Sequence, residues 1–225
     1  MVDERRTDER RTDERSAGEP PEGKAPDTEP WRDRRDGLHL GGPGFARYIE
    51  AMRRAQDLVA GTNPPPGVVL AATRSLNGLN ALLEPFAATE DDTPSGSRTD
   101  LPGRGHPLLL PLLIDAESEG SLRGRVTFGR FHLGRGGAAH GGTIPLLFDD
   151  LLGRVANPPG RGRARTARLT VHYRQITPID VELEVEATRE RSEGRKQWVR
   201  GRLLRDGAVL SNAEGLFVTL RPGQP

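Results

Sequence analysis

His140-Gly141-Gly142-Thr143-Ile144-Pro145-Leu146-Leu147-Phe148-Asp149 joins a glycine-rich loop to the first turns of an amphipathic helix and ends on a carboxylate. The helix is expected over about 142–157, where Ile144, Leu147, Phe148, Leu151, Leu152 and Val155 form a broad apolar stripe. At ~100° per residue, Asp149 and Asp150 fall on either side of the opposite face. Pro145 is tolerated because in the first turn its missing N–H has no intrahelical partner. Gly141 and Gly142 leave room for a ligand to approach the backbone. N–H groups at a helix N-terminus stabilise a developing negative charge, and a carboxylate fixed on a helix can direct water or attack a carbonyl. Taken alone, the same residues also fit a glycine loop followed by two solvated acids.

Outward from this segment the pattern is one of strands. Leu108 to Ala116 and Gly124 to Leu133 precede the helix, and Val126, Phe128 and Phe131 mark the second of these. Thr166 to Tyr173, Val181 to Arg191, Gln197 to Arg205 and Val209 to Leu220 follow it. Asp206-Gly207 between the last two is a tight-hairpin signal. A lone helix among long antiparallel strands predicts an α+β domain in which the sheet wraps around the helix. The stripe then packs into the concave side of the sheet, and the carboxylates emerge elsewhere. Asp149 is taken as the functional acid and Asp150 as a surface residue.

The remainder of the 225 residues divides in two. Residues 1–40 carry a short Asp-Glu-Arg repeat from Asp3 to Arg15 and then several prolines, with no apolar face to bury; a disordered charged tail is expected. Residues 41–95 predict two helices, Phe45 to Ala60 and Val68 to Leu83, the second with a stripe of Val69, Ala72, Leu76, Leu79 and Leu83. A helix pair of this size is too small to fold alone, so both faces are expected to pack on the domain at 96–225, covering the sheet or the mouth of a pocket.

Composition narrows the function. Cysteine is absent, which excludes disulfides, thiolate metal sites and a cysteine nucleophile. His39, His106 and His132 have no metal-ligand spacing, and no metal or cofactor is expected. Thirty-three basic and 32 acidic residues give a net charge of +1, and only 4% of residues are aromatic. That balance argues against a nucleic-acid surface, which needs positive charge and stacking platforms. No apolar run reaches the ~18 residues of a membrane span and no signal-peptide pattern opens the chain, so a cytoplasmic protein is expected. A Gly-x-Ser-x-Gly elbow is missing, which disfavours a serine-triad hydrolase.

His140-Gly141-Gly142 with Asp149 nine positions after the histidine resembles the signature of the hot-dog-fold acyl-CoA thioesterases, most nearly the PaaI-like branch. Thr166-Ala167-Arg168-Leu169-Thr170-Val171-His172-Tyr173-Arg174, followed by Pro178, is similar to the strand after the hot-dog helix in human thioesterase superfamily members. Glu193-Gly194-Arg195-Lys196 fits a turn between later strands of that branch. The resemblance spans about 105–220. It implies an acyl-CoA thioesterase of fatty acid metabolism, active as a homodimer or tetramer with sites at the interface. It implies that Gly141, with Gly142 beside it, polarises the thioester carbonyl through a backbone N–H. Asp149 is then the nucleophile or the general base, and Thr166 a hydroxyl reaching across the interface to position water. His140 is assigned to shaping the loop. Arg161, Arg163, Arg165 and Arg168 are candidates for the phosphates of coenzyme A. The alternative is a non-catalytic acyl-CoA-binding or regulatory hot-dog protein, favoured by the long N-terminal extension.

Overall fold

The computed structural model describes residues 39–158, 162–221, 223 and 224. The expected tail, up to residue 38, and Arg161 lie outside the described residues. Three α-helices and six strands make up the rest: α1 (Phe45–Gly61), α2 (Pro66–Leu83), β1 (Leu113–Ser118), β2 (Ser121–Thr127), α3 (Thr143–Ala156), β3 (Ala164–Tyr173), β4 (Glu182–Glu193), β5 (Lys196–Arg205) and β6 (Ala208–Thr219). The strands form one antiparallel sheet in the order β1-β2-β4-β5-β6-β3, which leaves β1 and β3 as its edges.

The sheet wraps α3. Ile144, Leu147, Phe148, Leu151, Leu152 and Val155 are all buried, so the stripe read from the sequence is the face that enters the core. It meets Leu122, Val126, Phe128, Leu183, Val185, Leu203 and Phe217 from the strands. Small residues set how deeply the helix sits. Ala187, Gly201 and Ala213 lie side by side across β4, β5 and β6. A methyl on Gly201 would come within 2.8 Å of Leu152 Cδ2 and 3.3 Å of Phe148 Cδ1. The helix therefore rests on a shallow row that any larger side chain would lift.

The hairpins follow their turn chemistry. Asp206 and Gly207 have φ of 50° and 78°, the two left-handed residues of the tight turn whose twist matches a hairpin. Gly194 opens the β4–β5 turn with φ 55°. The first strands are shorter than expected. β1 begins at Leu113, because Leu110 and Leu112 are buried in a non-strand approach. β2 ends at Thr127, and Arg130–His132 is a 3-10 turn; Phe128 is buried there without pairing.

The two N-terminal helices behave differently. α1 docks on the domain through buried Phe45 and Ile49. Arg53 adds hydrogen bonds to the carbonyls of Pro102 (2.9 Å) and His106 (3.2 Å), and Asp57 Oδ1 accepts the Phe131 N–H (2.9 Å). α2 buries none of its residues. Its expected packing on the domain is not found: the stripe exists, but Val69, Leu76 and Leu83 stay exposed. No helix among the described residues is long and apolar enough to cross a membrane.

Candidate active site

The glycine loop is held by the histidine that begins it. His140 Nδ1 accepts the Gly142 N–H at 3.0 Å, and the His140 carbonyl accepts both the Thr143 N–H (2.9 Å) and its hydroxyl (2.7 Å). An accepting Nδ1 puts the proton of the neutral ring on Nε2. This consumes the Gly142 N–H. The Gly141 N–H has no acceptor among the described residues, and Gly141 is exposed; a Cβ there would meet only the Tyr173 hydroxyl, at 4.0 Å. Of the glycine pair, Gly141 alone presents a free donor at the start of α3.

Asp149 is exposed in the second turn of α3, and its Oδ1 accepts a hydrogen bond from Thr166 Oγ1 at 2.8 Å. Both residues belong to the same chain. The resemblance implied a hydroxyl arriving across an interface, whereas the turn of chain between α3 and β3 already delivers this one. Asn157, just past α3, explains how. Its Nδ2 donates to Gly153 O (2.8 Å) and its Oδ1 accepts the Ala164 N–H (2.7 Å), pinning the start of β3 to the end of α3.

At the other end of β3, Tyr173 Oη donates to the Gly141 carbonyl at 2.7 Å. Thr166 and Tyr173 are seven residues apart, so in a regular strand they would point to opposite faces of the sheet. A β-bulge at Ala167 removes the conflict: the register passes from Thr166↔Phe217 to Arg168↔Leu216, with Ala167 unpaired. The inserted residue flips the alternation, and both hydroxyls reach the α3 side. Sequence reasoning missed the role of Tyr173, which stands at the end of the Thr166 strand, because an alternating pattern does not show a bulge.

Asp150 is not the solvated acid the sequence suggested. It is 14% exposed and pairs with Arg104 Nη2 at 2.8 Å. Arg104 sits in an unusual turn: Gly103, Arg104 and Gly105 have φ of 56°, 54° and 64°, three successive left-handed residues. The glycines are required there, since a Cβ on Gly103 would lie 2.5 Å from Leu110 O and one on Gly105 2.9 Å from the Phe45 ring. Arg53 of α1 holds the flanking carbonyls of Pro102 and His106, so the N-terminal extension is tied to α3 next to Asp149.

The arginines gather at the start of β3. Arg165 and Arg168 are exposed and have no acidic partner among the described residues. Arg163 is partly buried; desolvation, and then the neighbouring Arg165, hold its pKa below the ordinary guanidinium value, against the pull of Glu90 and Asp91. His172 is an exposed strand residue. No cluster of metal-ligating side chains exists among the described residues.

No family model matches the chain, and no curated protein does. Solved structures do. The chain is similar to a crystal structure of a thioesterase superfamily protein, with 28% identity and a TM-score of 0.68, covering 80% of this chain and 97% of the other. Zebrafish thioesterase superfamily member 2 resembles it at 14% identity and a TM-score of 0.46, over 48% of this chain and 81% of that one. A Streptococcus mutans protein crystallised with acetyl-CoA does so at 16% identity and a TM-score of 0.46, over 49% and 90%. The chain has the hot-dog fold of the thioesterase superfamily.

Proposed function

We propose that this protein is an acyl-CoA thioesterase whose active site is assembled from two copies of the chain. The observation that carries the reading is an exposed, hydroxyl-bonded Asp149 on α3 together with a free Gly141 N–H in the loop that leads into it. A thioester carbonyl is electrophilic enough for one oxyanion donor and one carboxylate to suffice. Removing such a donor in other hydrolases costs ~3–4 kcal/mol of transition-state stabilisation.

Within one chain the two groups stand too far apart. Eight residues separate Gly141 from Asp149, roughly 12 Å along a helix, whereas the donor and the base must both lie ~3 Å from the reacting atoms. Antiparallel pairing of β3 with its copy supplies the missing half. β3 is a ten-residue edge strand with one unpaired side, and such an edge favours pairing with another chain. A two-fold axis through it sets the Thr166 end of one strand beside the Tyr173 end of the other. Asp149 of one protomer then approaches the partner's Gly141, and a dimer carries two equivalent sites.

In the reaction the Gly141 N–H takes the developing charge on the carbonyl oxygen. Thr166 orients Asp149 through Oδ1, leaving Oδ2 to take a proton from water or to attack the carbonyl itself. On the general-base route, collapse of the tetrahedral intermediate breaks the C–S bond and the thiolate leaves with the proton that Asp149 took from water. On the nucleophilic route, C–S cleavage leaves an acyl–aspartyl anhydride, the thiolate takes a proton from solvent, and water then hydrolyses the anhydride to regenerate Asp149. Both routes give a carboxylic acid and free coenzyme A. Arg165 and Arg168 meet the coenzyme phosphates, together with Arg163 and, by its place in the sequence alone, Arg161. Their lack of acidic partners supports this role for the first two.

The test is thiol release from a panel of acyl-CoA esters of different chain length and aromatic character, with wild type and Asp149→Asn compared. Turnover that falls ~100-fold or more in the variant supports the assignment; undiminished turnover removes Asp149 from the chemistry. Tight binding without turnover on every ester identifies the non-catalytic alternative. Label found in Asp149 after single-turnover hydrolysis in ¹⁸O-water identifies the nucleophilic route, with water opening the anhydride at the aspartyl carbonyl.

A further inference from the structure

We propose that α2 is a self-association helix, and that its apolar seam packs against the same helix of a second copy. Val69, Leu76, Leu83 and Phe86 share one face of the helix and its 3-10 extension and are 42–77% exposed. Together they leave on the order of 400 Å² of apolar side chain in water, about half of the ~800 Å² each partner contributes to a standard interface.

The spacing identifies the occupant as a helix. Val69, Ala72, Leu76, Leu79 and Leu83 alternate steps of three and four, and Phe86 in the 3-10 turn that follows extends the series. A 3.5-residue repeat of this kind is the seam of paired helices. Among the described residues no helix is left to fill it. α3 has its stripe in the sheet, and α1 has turned Phe45 and Ile49 to the domain.

The charge pattern favours an identical partner. Arg74 is the one charged residue of α2, and it lies about 160° around the helix from Leu76. Two copies therefore meet without like charges facing each other, and a self-complementary patch is what a two-fold interface requires. A helix made for a membrane surface would instead carry a row of lysines and arginines on its polar face. The location is also favourable. Glu90 and Asp91, a few residues past the helix, act electrostatically on Arg163, so α2 leaves the domain beside the start of the open β3 edge.

The absence of native cysteine makes a direct test possible. Leu76→Cys lies near the middle of α2, where a symmetric helix pair brings the two copies of one residue together in either orientation. Under mild oxidation it is expected to convert most of the full-length protein to a covalent dimer, while Arg74→Cys, about 160° around the helix from Leu76, remains largely uncrosslinked. Equilibrium sedimentation gives the second readout: Leu76→Glu with Leu83→Glu is expected to raise the dissociation constant of self-association by ~tenfold or more, whether or not the β3 edges also pair, without changing far-UV circular dichroism. Absence of the Leu76→Cys dimer, or an unchanged dissociation constant in the glutamate variant, overturns the proposal. So does wild-type co-sedimentation with anionic vesicles that the glutamates abolish, which would assign the seam to lipid. None of these measurements involves acyl-CoA, so the outcome is independent of the proposed chemistry.

Discussion

Thr166 donates a 2.8 Å hydrogen bond to Asp149 across the gap between the edge strand and the central helix. The bond fixes one carboxylate oxygen and leaves the other exposed, which is the arrangement a positioned base or nucleophile needs. Thr166→Val keeps the shape and removes the donor. Turnover of acyl-CoA is expected to fall about ten- to hundredfold, matching a net hydrogen-bond contribution of ~1.5–3 kcal/mol to a charged acceptor. Thr166→Ser, which retains the hydroxyl, is expected to stay within about threefold of wild type. Equal losses in both variants would show that the methyl, not the hydroxyl, matters.

Tyr173 has the corresponding task at the other end of the strand. Its bond to the Gly141 carbonyl orients the peptide plane preceding Gly142 and steadies the loop whose neighbouring N–H is the proposed oxyanion donor. Tyr173→Phe is expected to lower kcat by severalfold with little change in KM, since the donor acts on charge that develops only in the transition state. The Tm should move by no more than a few degrees, because the tyrosine is exposed and the net bond is worth ~1 kcal/mol. A rise in KM at constant kcat would place Tyr173 in substrate binding instead.

Arg104 faces two opposing effects. Its backbone is left-handed, a conformation that costs a non-glycine residue ~1 kcal/mol, yet its guanidinium neutralises the mostly buried Asp150. Arg104→Ala keeps the unfavourable backbone and strands the carboxylate; a loss of ~1–3 kcal/mol is expected, below the cost for a fully buried pair. Arg104→Gly relieves the backbone and should recover part of that loss. Arg104→Ala with Asp150→Asn should recover more. Urea titrations of the four proteins decide between these; a double variant no more stable than Arg104→Ala would show that the ion pair is not the source of the effect.

What the sequence revealed and what it hid divide along a physical line. The α3 stripe, the order of strands and the Asp206-Gly207 hairpin are local patterns, and local patterns survive into the fold because nothing distant competes with them. His140 as a loop-shaping residue was legible for the same reason, since its acceptor reaches only to Gly142. The bulge at Ala167, the Arg104–Asp150 pair and the clamp of Asn157 on Ala164 rest on contacts between segments whose relation no periodicity encodes. α2 is the instructive case. Its stripe was read correctly, but a stripe states only that a face wants a partner, and the partner is not in the domain.

Acid should weaken the fold in two separate windows. Burial pushes the imidazoles of both His106 and His132 below the usual histidine pKa. Around His132, Asp57 works against burial and Arg53 with it; around His106, Arg104 and Arg53 lower the value and Asp150 raises it. A histidine whose folded pKa lies below its unfolded value binds more protons when unfolded. Its contribution to stability is therefore complete above ~6.5 and is lost as pH falls through the folded value. The Asp100 carboxyl, held low chiefly by its hydrogen bond from Arg98, gives the same sign in a lower window, with its contribution lost only below ~3.9. Thermal melts are thus expected to fall in Tm from pH 7 to 5 and to fall again below pH 4. His132 packs edge-on against Phe128 and Phe131 and its Nδ1 has no hydrogen-bond partner, so His132→Phe preserves the packing while removing the titration. That variant should show a shallower fall between pH 7 and 5 and an unchanged one below pH 4. An identical slope in the upper window would exclude His132 as a source of the acid sensitivity.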